Sequence, residues 1–173
     1  LDDEGNMATI LNESGVVLEY RGDYDEAIKR YNASLDIREK LNDDVGKGYS
    51  YNFLGGVYTL QKKFPEAEKY LMKSLEIREQ LKDSFSIALS HGDLGYMYKE
   101  QGQLDKATEQ YNLSNAIASK MHFADLQLSN YKELAVLAEK KGNFALALVY
   151  YKKQSILKDS IYTGEKLKQI EQL

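Results

Sequence analysis

Ser34 to Leu41 reads S-L-D-I-R-E-K-L, and Ser74 to Leu81 reads S-L-E-I-R-E-Q-L. The two stretches lie forty residues apart and differ only at Asp36 against Glu76 and Lys40 against Gln80. A fixed interval of this size marks a chain of stacked supersecondary units, none of which buries its apolar face alone. Outward from this pair the interval persists: Gly15, Gly55, Gly95 and Ala135 are successive steps of forty, as are Ala27, Ala67, Ala107 and Ala147. The chain is therefore expected to consist of four copies of one unit.

Each copy divides into two amphipathic helices. In the first, Leu11, Ser14, Gly15 and Leu18 recur as Tyr51, Leu54, Gly55 and Tyr58, then as His91, Leu94, Gly95 and Tyr98, then as Tyr131, Leu134, Ala135 and Ala138. Spacing of i, i+3, i+4, i+7 defines one buried helix face. A glycine inside that face costs about 1 kcal/mol of helix propensity against Ala. Close approach of the next helix explains it, and Ala135 shows that small size is the requirement. The second helix buries Tyr24, Ala27, Tyr31, Ser34, Ile37 and Leu41 and their counterparts.

Gly22, Gly102 and Gly142 mark the break inside three units as left-handed C-caps. Lys62 holds that place in the second unit and is expected to be strained, with Pro65 in the first turn of the following helix. Asp43, Asp44, Asp83, Ser84 and Asp125 offer N-caps for the next unit. Together these signals predict helices over about 5–21, 24–41, 45–61, 64–81, 85–101, 104–121, 125–141 and 144–162. Leu1-Asp2-Asp3-Glu4 aligns with Leu41-Asn42-Asp43-Asp44, so Leu1 is expected to close an upstream helix of a longer array.

The composition fits this plan: 173 residues, 43% hydrophobic, 29% charged, one Pro and 14 Tyr are too apolar for disorder. A net charge of -4 gives no basic footprint for nucleic acid. With no Cys there are neither disulfides nor thiolate metal sites. No apolar run is long enough to span a bilayer, so this segment is not expected to insert into a membrane, and no signal peptide is visible.

The series Gly95, Tyr98, Gly102, Leu104, Ala107, Tyr111 resembles the tetratricopeptide repeat, and all four units from Met7 to Ile161 carry it. The usual unit is about 34 residues; the longer form here is similar to repeats of kinesin light chain and of bacterial phosphatase-type response regulators. The resemblance implies an all-α, right-handed superhelix of four antiparallel helix pairs over 1–162, with units near 5–41, 45–81, 85–121 and 125–161, and a helical tail or cap over 163–173. From Leu157 onward the sequence resembles the junction where repeats of bacterial sensor histidine kinases and regulators run into a coiled coil. Leu167, Ile170 and Leu173 would form its apolar stripe; a polar cap on the last repeat is the alternative.

The resemblance also implies that the first helices line a concave wall that receives peptides. In the first unit that wall would be Thr9, Asn12, Glu13, Val16, Glu19 and Tyr20. In the second it would be Tyr49, Asn52, Phe53, Gly56, Thr59 and Leu60. Leu89, Asp93, Tyr96, Lys99 and Glu100 follow, then Ser129, Lys132, Glu133, Val136 and Glu139. Tyr49, Phe53, Leu60, Leu89 and Tyr96 are expected to form a central apolar cluster, the usual mark of a partner surface. Asn12 and Asn52 hold matching places, and an amide both donates to and accepts from a peptide backbone. The positions that form a carboxylate clamp in chaperone-binding members hold Asn12, Val16, Phe53, Leu89 and Asp93, with no basic pair. An apolar or amphipathic partner therefore fits better than an acidic C terminus.

Little points to catalysis. His91 sits where other units place Leu11, Tyr51 and Tyr131, and His122 lies in a turn without a second ligand at metal spacing. Gly46-Lys47-Gly48 is too short to cradle a phosphate. Asn32-Ala33-Ser34 and Asn112-Leu113-Ser114 match the glycosylation pattern, but each Ser lies on a buried stripe. A non-catalytic binding scaffold without cofactor or metal is expected, as the sensory or regulatory segment of a bacterial signalling protein. That setting would be periplasmic by the sensor-kinase resemblance. The alternatives are a free-standing cytoplasmic adaptor, or a self-association module that forms a homodimer through its terminal helices.

Overall fold

The computed structural model describes the backbone of residues 2–171 and the side chains of residues 3–163. Among these there are eight α-helices and no strand: α1 (Asp2–Arg21), α2 (Tyr24–Lys40), α3 (Asp44–Leu60), α4 (Phe64–Gln80), α5 (Ser84–Glu100), α6 (Leu104–Lys120), α7 (Ala124–Lys140) and α8 (Phe144–Glu171). Each odd-numbered helix packs on the even one that follows, and each even helix packs on the next odd one. Successive odd helices also touch, whereas successive even helices do not. The odd helices are therefore drawn together on the inner side of a curved all-α repeat superhelix.

The glycines inside the first helices permit this approach. A Cβ on Gly55 would lie 2.5 Å from Leu71 Cγ, and one on Gly95 would lie 2.9 Å from the Tyr111 ring. Gly15 is covered in the same way by Tyr31. The core runs continuously along the stack. Tyr31, Leu54 and Val57 fill one part, and Leu71, Leu94, Met97, Leu134 and Leu137 the next. Burying each such side chain is worth about 2 kcal/mol. Val57, Met97 and Leu137, all fully buried, form a second stripe that meets the preceding unit. That stripe was not part of the expected helix face.

The turns follow one design at both kinds of junction. Gly22, Gly102 and Gly142 have φ of +81°, +82° and +73°, and Lys62 has φ +59° in the matching place. The turns between units need the same left-handed residue and take it from Asn42, Lys82 and His122, with φ of +52°, +55° and +59°. Each such turn closes on the helix behind it, as where the Asp43 amide donates to Arg38 O and the Asn42 amide to Glu39 O. Of the expected N-caps, Asp43 accepts from the Gly46 amide and Asp83 from the Ser86 amide. Asp44, Ser84 and Asp125 instead stand inside the first helical turn, and Phe123 holds the cap position of α7.

The two ends depart from the repeat. Residues 2–4 continue α1 rather than forming the turn that their alignment with residues 42–44 suggested. Leu1 itself lies outside the described residues, as does Leu173. At the other end α8 passes position 162 unbroken and runs to Glu171, while the side chains of Leu167 and Ile170 lie outside the described set. No described helix is long and apolar enough to cross a membrane.

Candidate functional site

The inner wall carries a pocket of about 470 Å³ between α1, the end of α2 and the first half of α3. Asn12 and Val16 of α1 face Tyr49 and Phe53 of α3 across it. Thr9 and Glu13 line it too, so six of the expected wall residues are brought together. Val45 and Gly46, at the start of α3, form the floor near Arg38 and Asp43. The Phe53 ring is held flat on Tyr31, with centroids 5.2 Å apart and planes 10° from parallel.

Two polar side chains stand beside this apolar cavity. Asn12 is buried; its Nδ2 donates to Ser50 Oγ at 3.2 Å, while its Oδ1 has no hydrogen-bond partner. Arg38 donates from Nη1 to Asp43 Oδ2 at 2.5 Å and from Nη2 to Thr9 Oγ1 at 2.6 Å, while its Nε is buried without a partner. Both unpaired atoms are covered by their neighbours rather than open to the cavity, so the accessible lining is set by Val16, Val45, Tyr49 and Phe53. Arg38 reaches outward because Gly46 has no side chain: a Cβ there would collide with Arg38 Cδ and Asp43 Oδ2. Against the cost of burial, the Gly46 amide and Arg38 hold the Asp43 carboxyl below its ordinary range.

Forty residues on, the same positions are closed. Arg78, the counterpart of Arg38, turns inward and donates from Nη1 to Ser90 Oγ at 2.7 Å and to Asn52 Oδ1 and Ser86 O at 3.2 Å each. Tyr49 lies against the guanidinium, 5.7 Å from its ring centroid. Asp93 stands where the first junction has Phe53, and the Asn52 amide is also bonded to it. Burial pushes the Asp93 carboxyl up to about 6, against the pull of Arg78 and Asn52. Here Ser86 replaces Gly46, and its hydroxyl donates to Asp83 Oδ2 at 2.6 Å, occupying the carboxylate that Arg38 takes in the first junction. Asn52 therefore has both ends of its amide engaged, unlike Asn12.

The other expected wall residues scatter. Thr59 is buried and spends its hydroxyl on Gly55 O at 2.9 Å, so it does not line the wall. Leu60 is exposed at the far end of α3, about 16 Å along the axis from Tyr49 at 1.5 Å per residue. The single central cluster of Tyr49, Phe53, Leu60, Leu89 and Tyr96 is thus divided, because eleven residues of helix separate two of its members. Leu89 is half-buried on α5. Tyr20 is 90% exposed. Glu19 accepts from the Tyr31 hydroxyl at 2.9 Å, and burial raises its carboxyl despite that bond. Tyr96 has Lys99 over its ring at 5.1 Å, and Lys99 pairs with Glu133 at 2.7 Å. Lys132 is exposed. Missing from the expected set were Arg38, Asp43, Val45 and Gly46. For Arg38 a signal was present in the repeated I-R-E of the two octapeptides.

No group of His, Asp and Glu among the described residues is arranged to hold a metal. His91 Nδ1 is paired with Gln110 Oε1 at 2.8 Å.

Comparison with known proteins agrees with this geometry at the level of fold. BtubC (BKLC) from P. vanneervenii superposes with a TM-score of 0.79 at 20% identity over 90% of this chain and 64% of that one. A Rap protein complexed with competence and sporulation factor gives 0.83 at 19% identity, over 95% of this chain and 47% of that one. A putative kinesin light chain of nearly identical repeats from Podosopora anserina gives 0.77 at 19%, over 92% of this chain and 78% of its own. The chain thus spans about two thirds of BtubC and under half of Rap. No curated protein matches it. The tetratricopeptide repeat pattern matches residues 6–80 and again 47–120, in register with the forty-residue units. The chain belongs to the tetratricopeptide repeat family.

Proposed function

We propose that the chain is a protein-interaction scaffold that receives an extended segment of a protein or peptide partner on the wall formed by α1 and α3. The supporting observation is the first-junction pocket of about 470 Å³, where Val16, Val45, Tyr49 and Phe53 form an apolar recess beside Asn12, Arg38 and Asp43. An apolar side chain of the partner fills the space beside Val16 and Phe53, the kind of buried anchor that carries most of a contact's affinity. Asp43 already neutralises Arg38, which leaves no free cation here for an acidic terminus. The anchor is an apolar residue.

Membership of the repeat family supports this role, as does the fold shared with a Rap protein crystallised with competence and sporulation factor. The setting proposed for it, in line with the resemblance of the tail after Leu157, is a sensory or regulatory segment of a bacterial signalling protein, with α8 carrying a change in repeat stacking to an output region. The wall residues outside the pocket, including Leu89, Tyr96, Lys99 and Lys132, would extend the contact along the groove.

Panning a random peptide display library against the chain tests the site. Enriched peptides are expected to share an apolar anchor and to bind Val16→Glu at least about tenfold more weakly, a loss of about 1.4 kcal/mol. Peptides that bind Val16→Glu and the parent chain equally would overturn it. Spin labels on α1 and α8 that keep one separation with and without such a peptide would remove the relay through α8 and leave binding intact.

A further inference from the structure

Arg38 and Arg78 stand in the same octapeptide, yet the acceptors that one uses are left unused beside the other. Arg78 Nη1 donates to Asn52 Oδ1, Ser86 O and Ser90 Oγ. Forty positions earlier the sequence holds Asn12, Gly46 and Ser50. Asn12 Oδ1 is buried without a hydrogen-bond partner. Ser50 Oγ lies 3.2 Å from both Asn12 Nδ2 and Ser34 Oγ. Ser34 gives its own proton to Ala8 O, so the Ser50 hydroxyl can donate to Ser34 and still accept one more bond besides that from Asn12. A complete set of acceptors for an inward arginine is thus in place at the first junction. Arg38 instead reaches Asp43 and Thr9, with its Nε buried and unpaired. Charge explains the choice. The outward place offers a carboxylate, and charge-assisted bonds are the stronger ones. The inward place offers only neutral oxygens, since Phe53 stands where Asp93 supplies Arg78 with an opposite charge.

We propose that Arg38 is a two-position latch on the peptide pocket. Outward, on Asp43 and Thr9, it leaves the recess beside Val16, Tyr49 and Phe53 open. Inward, on Asn12 Oδ1, Ser50 Oγ and Gly46 O, its guanidinium crosses that recess and ties α2 to both α1 and α3, as Arg78 ties α4 to α3 and α5. An apolar anchor in the recess holds Arg38 out, and whatever weakens its hold on Asp43 lets it in. Control of binding rests on the pocket being the binding site, as proposed above; the existence of the second position does not. Glu13, exposed on the pocket rim, is the rival acceptor for a released Arg38.

Two variants of the full chain release Arg38 by different routes. Asp43→Asn removes the charge and keeps the N-cap, because an Asn side chain accepts from the Gly46 amide as well as Asp does. Gly46→Ser keeps Asp43 but places a Cβ against Arg38 Cδ, with a hydroxyl that takes the carboxylate as Ser86 takes Asp83. In crystal structures of both variants Arg38 is expected within hydrogen-bond distance of Asn12 Oδ1. Nile red, a neutral apolar dye, is expected to bind each about tenfold more weakly than the parent, the factor by which the open fraction falls. In an Asn12→Ala background, which lacks the inward acceptor, Asp43→Asn is expected to change dye affinity by less than about twofold. Arg38 found beside residue 43, on Glu13 or in solvent in both variants would overturn the proposal, as would a tenfold loss that persists in the Asn12→Ala background. Arg38 turned inward with dye affinity unchanged would keep the second position and remove the pocket as the binding site, so the two readings fail separately.

Discussion

The first and second junctions share a backbone and an arginine, yet one is an open pocket and the other a locked network. Arg38 and Arg78 occupy the same place in the same octapeptide. At the first junction Gly46 leaves space for Arg38 to reach Asp43, and Phe53 presents a ring to the groove. At the second, Ser86 takes Asp83, Arg78 turns inward, and Asp93 supplies the opposite charge. Binding capacity in a repeat array is thus set by the side chains that differ between units, on a frame held constant by those that agree. Both arginines stand in the last turns of α2 and α4, and their neighbours decide where their donors go.

The largest expected effect comes from removing the two arginines in turn. Arg78→Ala strips donors from Asn52, Ser90 and Ser86 O and leaves Asp93 without its counter-charge, a loss of about 3–5 kcal/mol in chemical denaturation. Arg38→Ala removes a pair whose side chains are 14% and 29% exposed but leaves Asp43 its bond from the Gly46 amide, and is expected to cost less, about 1.5–2 kcal/mol. Equal costs would break the contrast between the junctions. The asparagines sharpen it next. Asn52→Ala is expected to destabilise by about 2 kcal/mol, because both of its amide ends are engaged. Asn12→Ala is expected to cost under about 1 kcal/mol, since it loses one long bond and an unpaired acceptor.

Titration gives a smaller, signed effect. Asp93 titrates near 6 in the folded chain, against about 3.9 when unfolded. Between those values the folded state binds more protons, so its contribution rises as pH falls from 6 towards 4 and is absent above 6, with a span of about 2 kcal/mol. Asp43 and Asp83 are shifted the other way, Asp83 chiefly by the Ser86 hydroxyl, and lose stability as the solution is acidified. The difference between the parent and Asp93→Asn stability curves isolates the Asp93 contribution; parallel curves from pH 4 to 7 would refute it. Smallest is Lys62→Gly. It relieves a side chain at φ +59° in a turn outside both junctions and is expected to raise stability by about 0.5–1 kcal/mol, with the pocket unchanged.

Much of the frame was legible from residue spacing. Gly15, Gly55 and Gly95 pointed to close helix contact because a missing Cβ inside a buried stripe has few other uses, and Tyr31, Leu71 and Tyr111 fill those gaps. Helix boundaries followed from Gly22, Gly102 and Gly142, since a left-handed turn residue leaves a local signature. The left-handed Lys82 and His122 left none, because hydrogen bonds to the preceding helix impose that conformation on residues that do not favour it. For the site, the family resemblance placed Asn12, Val16, Tyr49 and Phe53 on one wall, and the pocket brings them together. It did not reveal that Thr59 turns into the core or that Arg38 and Asp43 complete the pocket.

By itself, then, the order of residues determined the unit, its two helices and the glycines that let them meet, because these depend on interactions within a few turns of one chain segment. The tertiary structure decided which of two equivalent asparagines and arginines keeps an unused hydrogen-bonding atom. That outcome depends on whether Gly46 or Ser86, and Phe53 or Asp93, stands across the junction, and such neighbours come together only when one unit is laid against the next.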